Sequence, residues 1–254
     1  MLGGITVGLC NYLCMLLKPT RGIVFRNYHT VTHCIFDMDG TIIDSEVLYA
    51  NVIRKICSKY DKTITDGLLN KVIGVTDRDI SQMICKELEI PIPPVEFEKQ
   101  MKDMTTASAN TVPTKEGANK ILNHLKSHSI LAALATNSTG ETVRMYAMAK
   151  PELFGHFHHM VSVDDAEVHH GKPHPDLFLV AASRFPAKAD PKHCLVFEDS
   201  PVGVEAGISA GMQVVMVQDK RLMNTSLRKF KATLILTTLM DFSPEIFGLP
   251  PYNS

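Results

Sequence analysis

His33-Cys34-Ile35-Phe36-Asp37-Met38-Asp39-Gly40-Thr41 is the stretch on which the fold turns. Val31 to Phe36 reads as a buried strand that stops at two carboxylates one residue apart, followed by Gly and Thr. Side chains alternate along a strand, so Asp37 and Asp39 leave on the same side if the extended conformation persists past Phe36. Like charges crowded in this way raise one another's pKa unless a cation lies between them. The pair therefore asks for a hard divalent metal with oxygen ligands, Mg2+ first. Gly40 lets the chain turn without a Cβ clash. A polar strand end followed by an ordinary turn would look the same over five residues, because Asp and Gly are common turn residues.

Outward from this stretch, the composition suits a globular protein of one large or two modest domains: 254 residues, 45% hydrophobic, formal net charge -1. Twenty-six basic residues against twenty-seven acidic ones, with no long run of either sign, leave no electrostatic footprint for nucleic acid or an anionic membrane. The expected partner is a small phosphorylated metabolite, and the absence of a sustained heptad pattern fits a monomer. Cys10, Cys14, Cys34, Cys57, Cys85 and Cys194 form no CxxC pair and read as small hydrophobes in a reducing compartment. Residues 1–30 stand apart: no acid, with Lys18, Arg21 and Arg26 beside an apolar run from Ile5 to Leu17. That run is too short to span a bilayer. It reads either as an extension with no address on a cytoplasmic protein or as a mitochondrial leader.

After the first strand the periodicity becomes helical. Val47, Ala50, Val52, Ile53 and Ile56 fall at helical spacing, as do Ile80, Met83, Ile84 and Leu88, and Phe97, Met101 and Met104 mark another amphipathic segment beyond Pro91, Pro93 and Pro94. Residues 46–112 thus form an all-helical insert between residues 31–45 and 113–254. From Val112 onward, helices alternate with short apolar runs. Strands are expected at Ile130 to Ala135, Met160 to Val163, Cys194 to Phe197, Val214 to Val217 and Leu234 to Leu236. Helices are expected at Glu116 to His128, Pro175 to Phe185 and Val202 to Ala210. This is an α/β pattern, a doubly wound parallel sheet with right-handed crossovers, whose ligand site lies beyond the carboxyl ends of its strands.

Polar residues collect there. Ile130 to Ala135 runs into Thr136-Asn137-Ser138-Thr139, which reads as a phosphate cradle or a plain N-cap. Gly171-Lys172-Pro173 fixes a lysine between rigid neighbours, where it could neutralise a phosphoryl group or simply be a solvated charge. Cys194 to Phe197 ends in Glu198-Asp199-Ser200, two more acids opposite Asp37, and Gly203, Gly207 and Gly211 follow in a helix suited to close packing on the sheet. His156, His158, His159, His169, His170 and His174 raise the question of zinc, but their spacings match no tight ligand pair and they read as surface residues.

Asp-x-Asp-Gly-Thr, a strand-end Thr, Gly-Lys-Pro and a strand-end Glu-Asp come in the order of the haloacid dehalogenase superfamily, and the chain resembles its small-cap members, a subgroup that includes β-phosphoglucomutase. Asp164 to Pro173, Lys192 to Asp199, Ala210 to Val217 and Phe247 to Pro250 look like the animal pseudouridine-5'-phosphatases, although Gly74-Val75-Thr76 in the insert lacks the basic pair expected there. The resemblance implies a Mg2+-dependent phosphomonoester hydrolase with catalytic Asp37 and Asp39. It implies a metal held by Asp37, Asp199, Glu198 and the Asp39 carbonyl, and phosphate held by Thr136, the Asn137 N–H and Lys172. Pseudouridine 5'-phosphate is the substrate it suggests first, with sugar or glycerol phosphates, a phosphomutase and a noncatalytic binding protein of the same fold left open.

Overall fold

The structure is a computed structural model that describes residues 29–72, 77–218 and 231–253. Residues 1–28, which hold most of the basic leader, and the Gly74-Val75-Thr76 departure lie outside the described residues.

Six parallel strands form one sheet in the order β3-β2-β1-β4-β5-β6, where β1 is His33–Phe36, β2 Leu131–Thr136, β3 His159–Ser162, β4 Cys194–Glu198, β5 Gln213–Val217 and β6 Leu234–Leu236. This is the expected doubly wound α/β architecture. Strand order reverses between β1 and β4, so a crevice opens beyond their carboxyl ends. The first strand is shorter than its apolar run suggests. Val31 and Thr32 give their N–H groups to Phe247 and His193, at 2.9 Å each, instead of to a neighbouring strand.

Alternation along the strands sorts the core onto two faces. Cys34, Phe36, Leu134, Leu195 and Phe197 pack on one side, and Ile35, Ala133, Ala135 and Val196 on the other. The second face is covered by α8 (Asp176–Ser183) and α9 (Pro201–Ser209) through Leu177, Phe178 and Val204. The first is covered by α5 (Ala118–Ser127), α6 (Gly140–Ala149) and the short α7 (Pro151–Phe154), the last of which the apolar periodicity does not reveal. The chain between β1 and β2 is helical and contains no strand among the described residues: α1 (Ser45–Ser58), α2 (Asp66–Lys71), α3 (Asp77–Glu87) and α4 (Pro94–Ala107). Asp44 and Thr65 cap α1 and α2 with their side chains, satisfying N–H groups that a helix start leaves open. The buried Ile53, Ile56, Ile84 and Phe97 join these helices to the first core face as one apolar cluster.

Cys34, Cys57, Cys85 and Cys194 are free and buried. Among the described residues no helix is long and apolar enough to cross a membrane.

Phe36 lies fully buried at the centre of the sheet, stacked on Phe197 at 4.4 Å between ring centroids. Phe36→Ala should cost about 3–5 kcal/mol of stability, read as a lower urea midpoint. Met148→Ala, at a side chain 83% exposed, should move it by no more than about 0.5 kcal/mol.

Candidate active site

Three strand ends supply the site. β1 delivers Asp37, 6% exposed, and β4 delivers Glu198, fully buried, with Asp199 next to it. β2 ends on Thr136, 1% exposed. The loop before α8 brings Lys172 between them. Its Nζ donates to Asp37 Oδ1 at 2.5 Å, to Glu198 Oε1 at 2.7 Å and to the Ala135 carbonyl at 2.8 Å. Asn137 holds this loop: its Oδ1 accepts the Lys172 N–H at 2.8 Å and its Nδ2 donates to the Lys172 carbonyl at 3.4 Å.

The carboxylates of Asp37, Glu198 and Asp199 lie within 4.8 Å of one another. Burial and the neighbouring Glu198 and Asp39 charges push Asp37 up to about 7, even though Lys172 opposes them. Burial, with Asp37 and Glu198 next, holds Asp199 well above the usual carboxylate range. Burial also works against the Lys172 ammonium, but Asp37 and Glu198 outweigh it and raise its pKa. Were all three carboxylates ionised, one ammonium would leave two negative charges without a partner, and the raised pKa values of Asp37 and Asp199 reflect burial together with that deficit of positive charge. An oxygen-only donor set with that deficit fits a hard divalent cation.

Gly40 and Gly203 make room for these acids. Gly40 has φ +80°, and a Cβ on it would overlap the Asp199 carboxylate; a Cβ on Gly203 would overlap that of Glu198. Glu198 is anchored further: its Oε2 accepts the Asp199 N–H, the Ser200 N–H and the Ser200 hydroxyl, each at 3.0 Å.

Asp39 lines the same cavity as Asp37 and is near enough to raise its pKa, but its carboxylate is turned toward the end of β2. The extended conformation does not persist. Asp39 forms a lone bridge with Ile43, Gly40 turns the chain, and the Asp39 carboxylate lies outside the acidic cluster. Its Oδ2 accepts the Ser138 hydroxyl at 2.7 Å and the Thr136 hydroxyl at 3.4 Å. The turn after β2 divides its work, since Thr139 caps α6 while Thr136 and Ser138 face the site. Ser138 is the polar contact that sequence reading left without a role. Its signal was the hydroxyl-rich turn, where only Thr136 and Asn137 received one.

These groups open into a cavity of about 890 Å3 walled on the sheet side by Asp37, Asp39, Thr136, Asn137, Lys172 and Asp199, and on the helical side by Glu46, Tyr49, Arg54, Leu69 and Asp77. Arg54 is paired with Asp66 at 2.8 Å.

Residues 34–217 match the family of haloacid dehalogenase-like hydrolases. A Drosophila melanogaster protein named "Probable pseudouridine-5'-phosphatase" is 41% identical over 224 residues, 88% of this chain and 96% of the relative. "(DL)-glycerol-3-phosphatase 1, mitochondrial" of Arabidopsis thaliana is 38% identical over 88% of this chain and 76% of its own length. A crystal structure of a Thermotoga maritima protein assigned as a β-phosphoglucomutase superposes with a TM-score of 0.72 at 29% identity, covering 85% of this chain and 97% of the other.

The raised Asp37 and Asp199 mean that, without a cation, the folded state binds more protons than the unfolded one once pH exceeds the ordinary value of 3.8. Metal-free stability should fall as pH rises from there through about 7. Mg2+ should raise the melting temperature more at pH 8 than at pH 5, where protons compete for the same oxygens. An equal increment at both pH values would contradict this linkage. Asp199→Asn should raise the metal-free melting temperature at pH 8 and abolish the Mg2+ increment.

Proposed function

Since the chain belongs to the haloacid dehalogenase-like hydrolase family and is a phosphomonoester hydrolase, we propose that it releases phosphate through a covalent intermediate on Asp37 and depends on Mg2+. The ion would be held by Asp37, Asp199 and the Asp39 main-chain carbonyl, with Glu198 adjoining directly or through water. Bound there, Mg2+ supplies the charge neutralisation that lets a phosphate approach a carboxylate.

The chain's own groups carry the steps. An Asp37 oxygen attacks phosphorus as the bond to the ester oxygen breaks, and Asp39 gives a proton to the departing oxygen. Asp39 then takes a proton from the water that attacks the phosphoaspartate, which frees Asp37 and orthophosphate. With its Oδ2 turned to Ser138 and Thr136, Asp39 has its other oxygen available for this proton. Thr136, the Asn137 N–H and Lys172 would position the phosphoryl oxygens, the chief task of a protein in phosphoryl transfer. Residues 46–112 act as the cap that covers the leaving group and limits water. The observation that carries this reading is the buried cluster of Asp37, Glu198, Asp199 and Lys172 at the floor of the cavity.

Pseudouridine 5'-phosphate is the first substrate to consider, supported by the similarity over 88% of the chain to a protein of that name. Glycerol phosphate is the second, supported by the 38% identical Arabidopsis relative. The enzyme works as a monomer on a small metabolite. A reducing compartment, the cytoplasm first, is supported by four free buried cysteines.

Phosphate release from an aryl phosphate should require Mg2+ and vanish in Asp37→Asn, whereas Asp39→Asn should lower kcat by about 10^2- to 10^4-fold. Parent-like turnover by Asp37→Asn would remove it from the mechanism. A panel of nucleoside, glycerol and hexose phosphates, ranked by kcat/KM, should place pseudouridine 5'-phosphate first. Interconversion of a sugar phosphate with little phosphate released would identify a mutase instead.

A further inference from the structure

A second group of metal-binding donors lies outside the acidic cluster. His170, His174 and Asp176 place one ligand atom each within 4.8 Å of the others. We propose that these three residues form a site for a borderline transition cation, Zn2+ first, that fixes the loop carrying Lys172. Sequence reading set the histidines aside because it weighed them only against one another. The carboxylate of Asp176, at the start of α8, is what brings His170 and His174 into one constellation.

The geometry suits the ion. Zn2+ bonded at ~2.0–2.1 Å to tetrahedral N and O ligands needs donors about 3.3–3.4 Å apart. His170 Nδ1 lies 3.7 Å from Asp176 Oδ2, and His174 Nδ1 is hydrogen-bonded to Asp176 Oδ1 at 2.8 Å, so an ion would replace the proton between them with only a small outward shift of His174. The two rings approach to 4.5 Å between centroids with their planes 36° apart, so both imidazoles face one region. The His170 and His174 side chains are 67% and 55% exposed, which gives an ion a path in. The carboxylate is already oriented, because Asp176 Oδ2 accepts the N–H groups of His169 and His170 at 3.1 and 3.0 Å. Fixing a ligand through its outer hydrogen bonds is how proteins prepare a metal site.

Donor chemistry separates this site from the acidic one. Two imidazoles and a carboxylate favour Zn2+ and its neighbours over Mg2+, which prefers oxygen and keeps its waters. His170 and His174 flank Lys172, so an ion held by both would tie down the chain on each side of the lysine that reaches Asp37 and Glu198. This site would therefore act on the active site without sharing a ligand with it.

The test is a calorimetric Zn2+ titration of the whole chain in excess Mg2+, with amide exchange followed over residues 169–176. The parent should bind one equivalent and exchange more slowly in this segment. The double variant His170→Ala/His174→Ala, which removes two of three ligands, should show no Zn2+ binding at this site, and Asp199→Asn should bind like the parent. Unchanged melting of the double variant would confirm that it folds, as its exposed rings lead us to expect. Three outcomes would overturn the proposal: no binding by the parent, parent-like affinity in the double variant, or loss of binding in Asp199→Asn. The last would place the ion in the acidic cluster. Binding without slower exchange would overturn the fixing of the loop.

Discussion

Three carboxylates around one ammonium, mostly buried at the floor of a cavity, is the constraint on which the rest of this molecule depends. Asp37, Glu198 and Asp199 meet Lys172 at the carboxyl ends of β1 and β4 with almost no exposed surface on Asp37, Glu198 or Lys172. Charges in such a setting interact strongly and are costly when unpaired. One lysine offsets only part of the repulsion, and the displaced pKa values of Asp37 and Asp199 record the remainder. A fold that keeps this arrangement must make its stability elsewhere, and two apolar layers around a six-stranded sheet do so.

The topology explains why the acids meet at all. β1 and β4 are neighbours in the sheet although more than 150 residues separate them in sequence, and their registered ends put Phe36 beside Phe197 one step before the acids begin. The backbone ladder sets the spacing from which Asp37 and Glu198 depart, with the Asp37 N–H bonded to the Phe197 carbonyl at 2.9 Å, and the stacked Phe36 and Phe197 rings fill the layer beneath. Gly40 and Gly203 then leave the volume that the Asp199 and Glu198 carboxylates fill.

Much of this was legible in the sequence because buried parallel strands are continuous apolar runs, and each here ends where polarity begins. The alternation from Ile130 onward therefore located the sheet, and the acids and lysine at its edge located the site. What spacing did not give was the detail: Asp37 and Asp39 line one cavity, but the chain bends at Met38 and the Asp39 carboxylate takes its hydrogen bonds from Ser138 and Thr136 instead of joining Glu198 and Asp199. The contact of Ser138 was hidden because its partner, Asp39, is 99 residues away in sequence, and one-dimensional spacing does not register such a pair. The four-residue helix at Pro151–Phe154 is too short to display a helical period.

Hydrogen-bond capacity also sorts the acids by what they have left to give. A carboxylate offers about four lone-pair directions. Glu198 commits Oε2 to the Asp199 and Ser200 donors and gives Oε1 to Lys172, which leaves part of Oε1 free for a ligand. Asp37 gives Oδ1 to Lys172, and among the described residues no hydrogen-bond donor reaches its Oδ2 or the Asp199 carboxylate. The unspent acceptor capacity is therefore concentrated on Asp37 and Asp199, the two acids whose protonation is most displaced. Glu198, buried and anchored at Oε2, also bonds the Lys172 ammonium that reaches Asp37, so one side chain links the β4 end to the β1 end through the lysine.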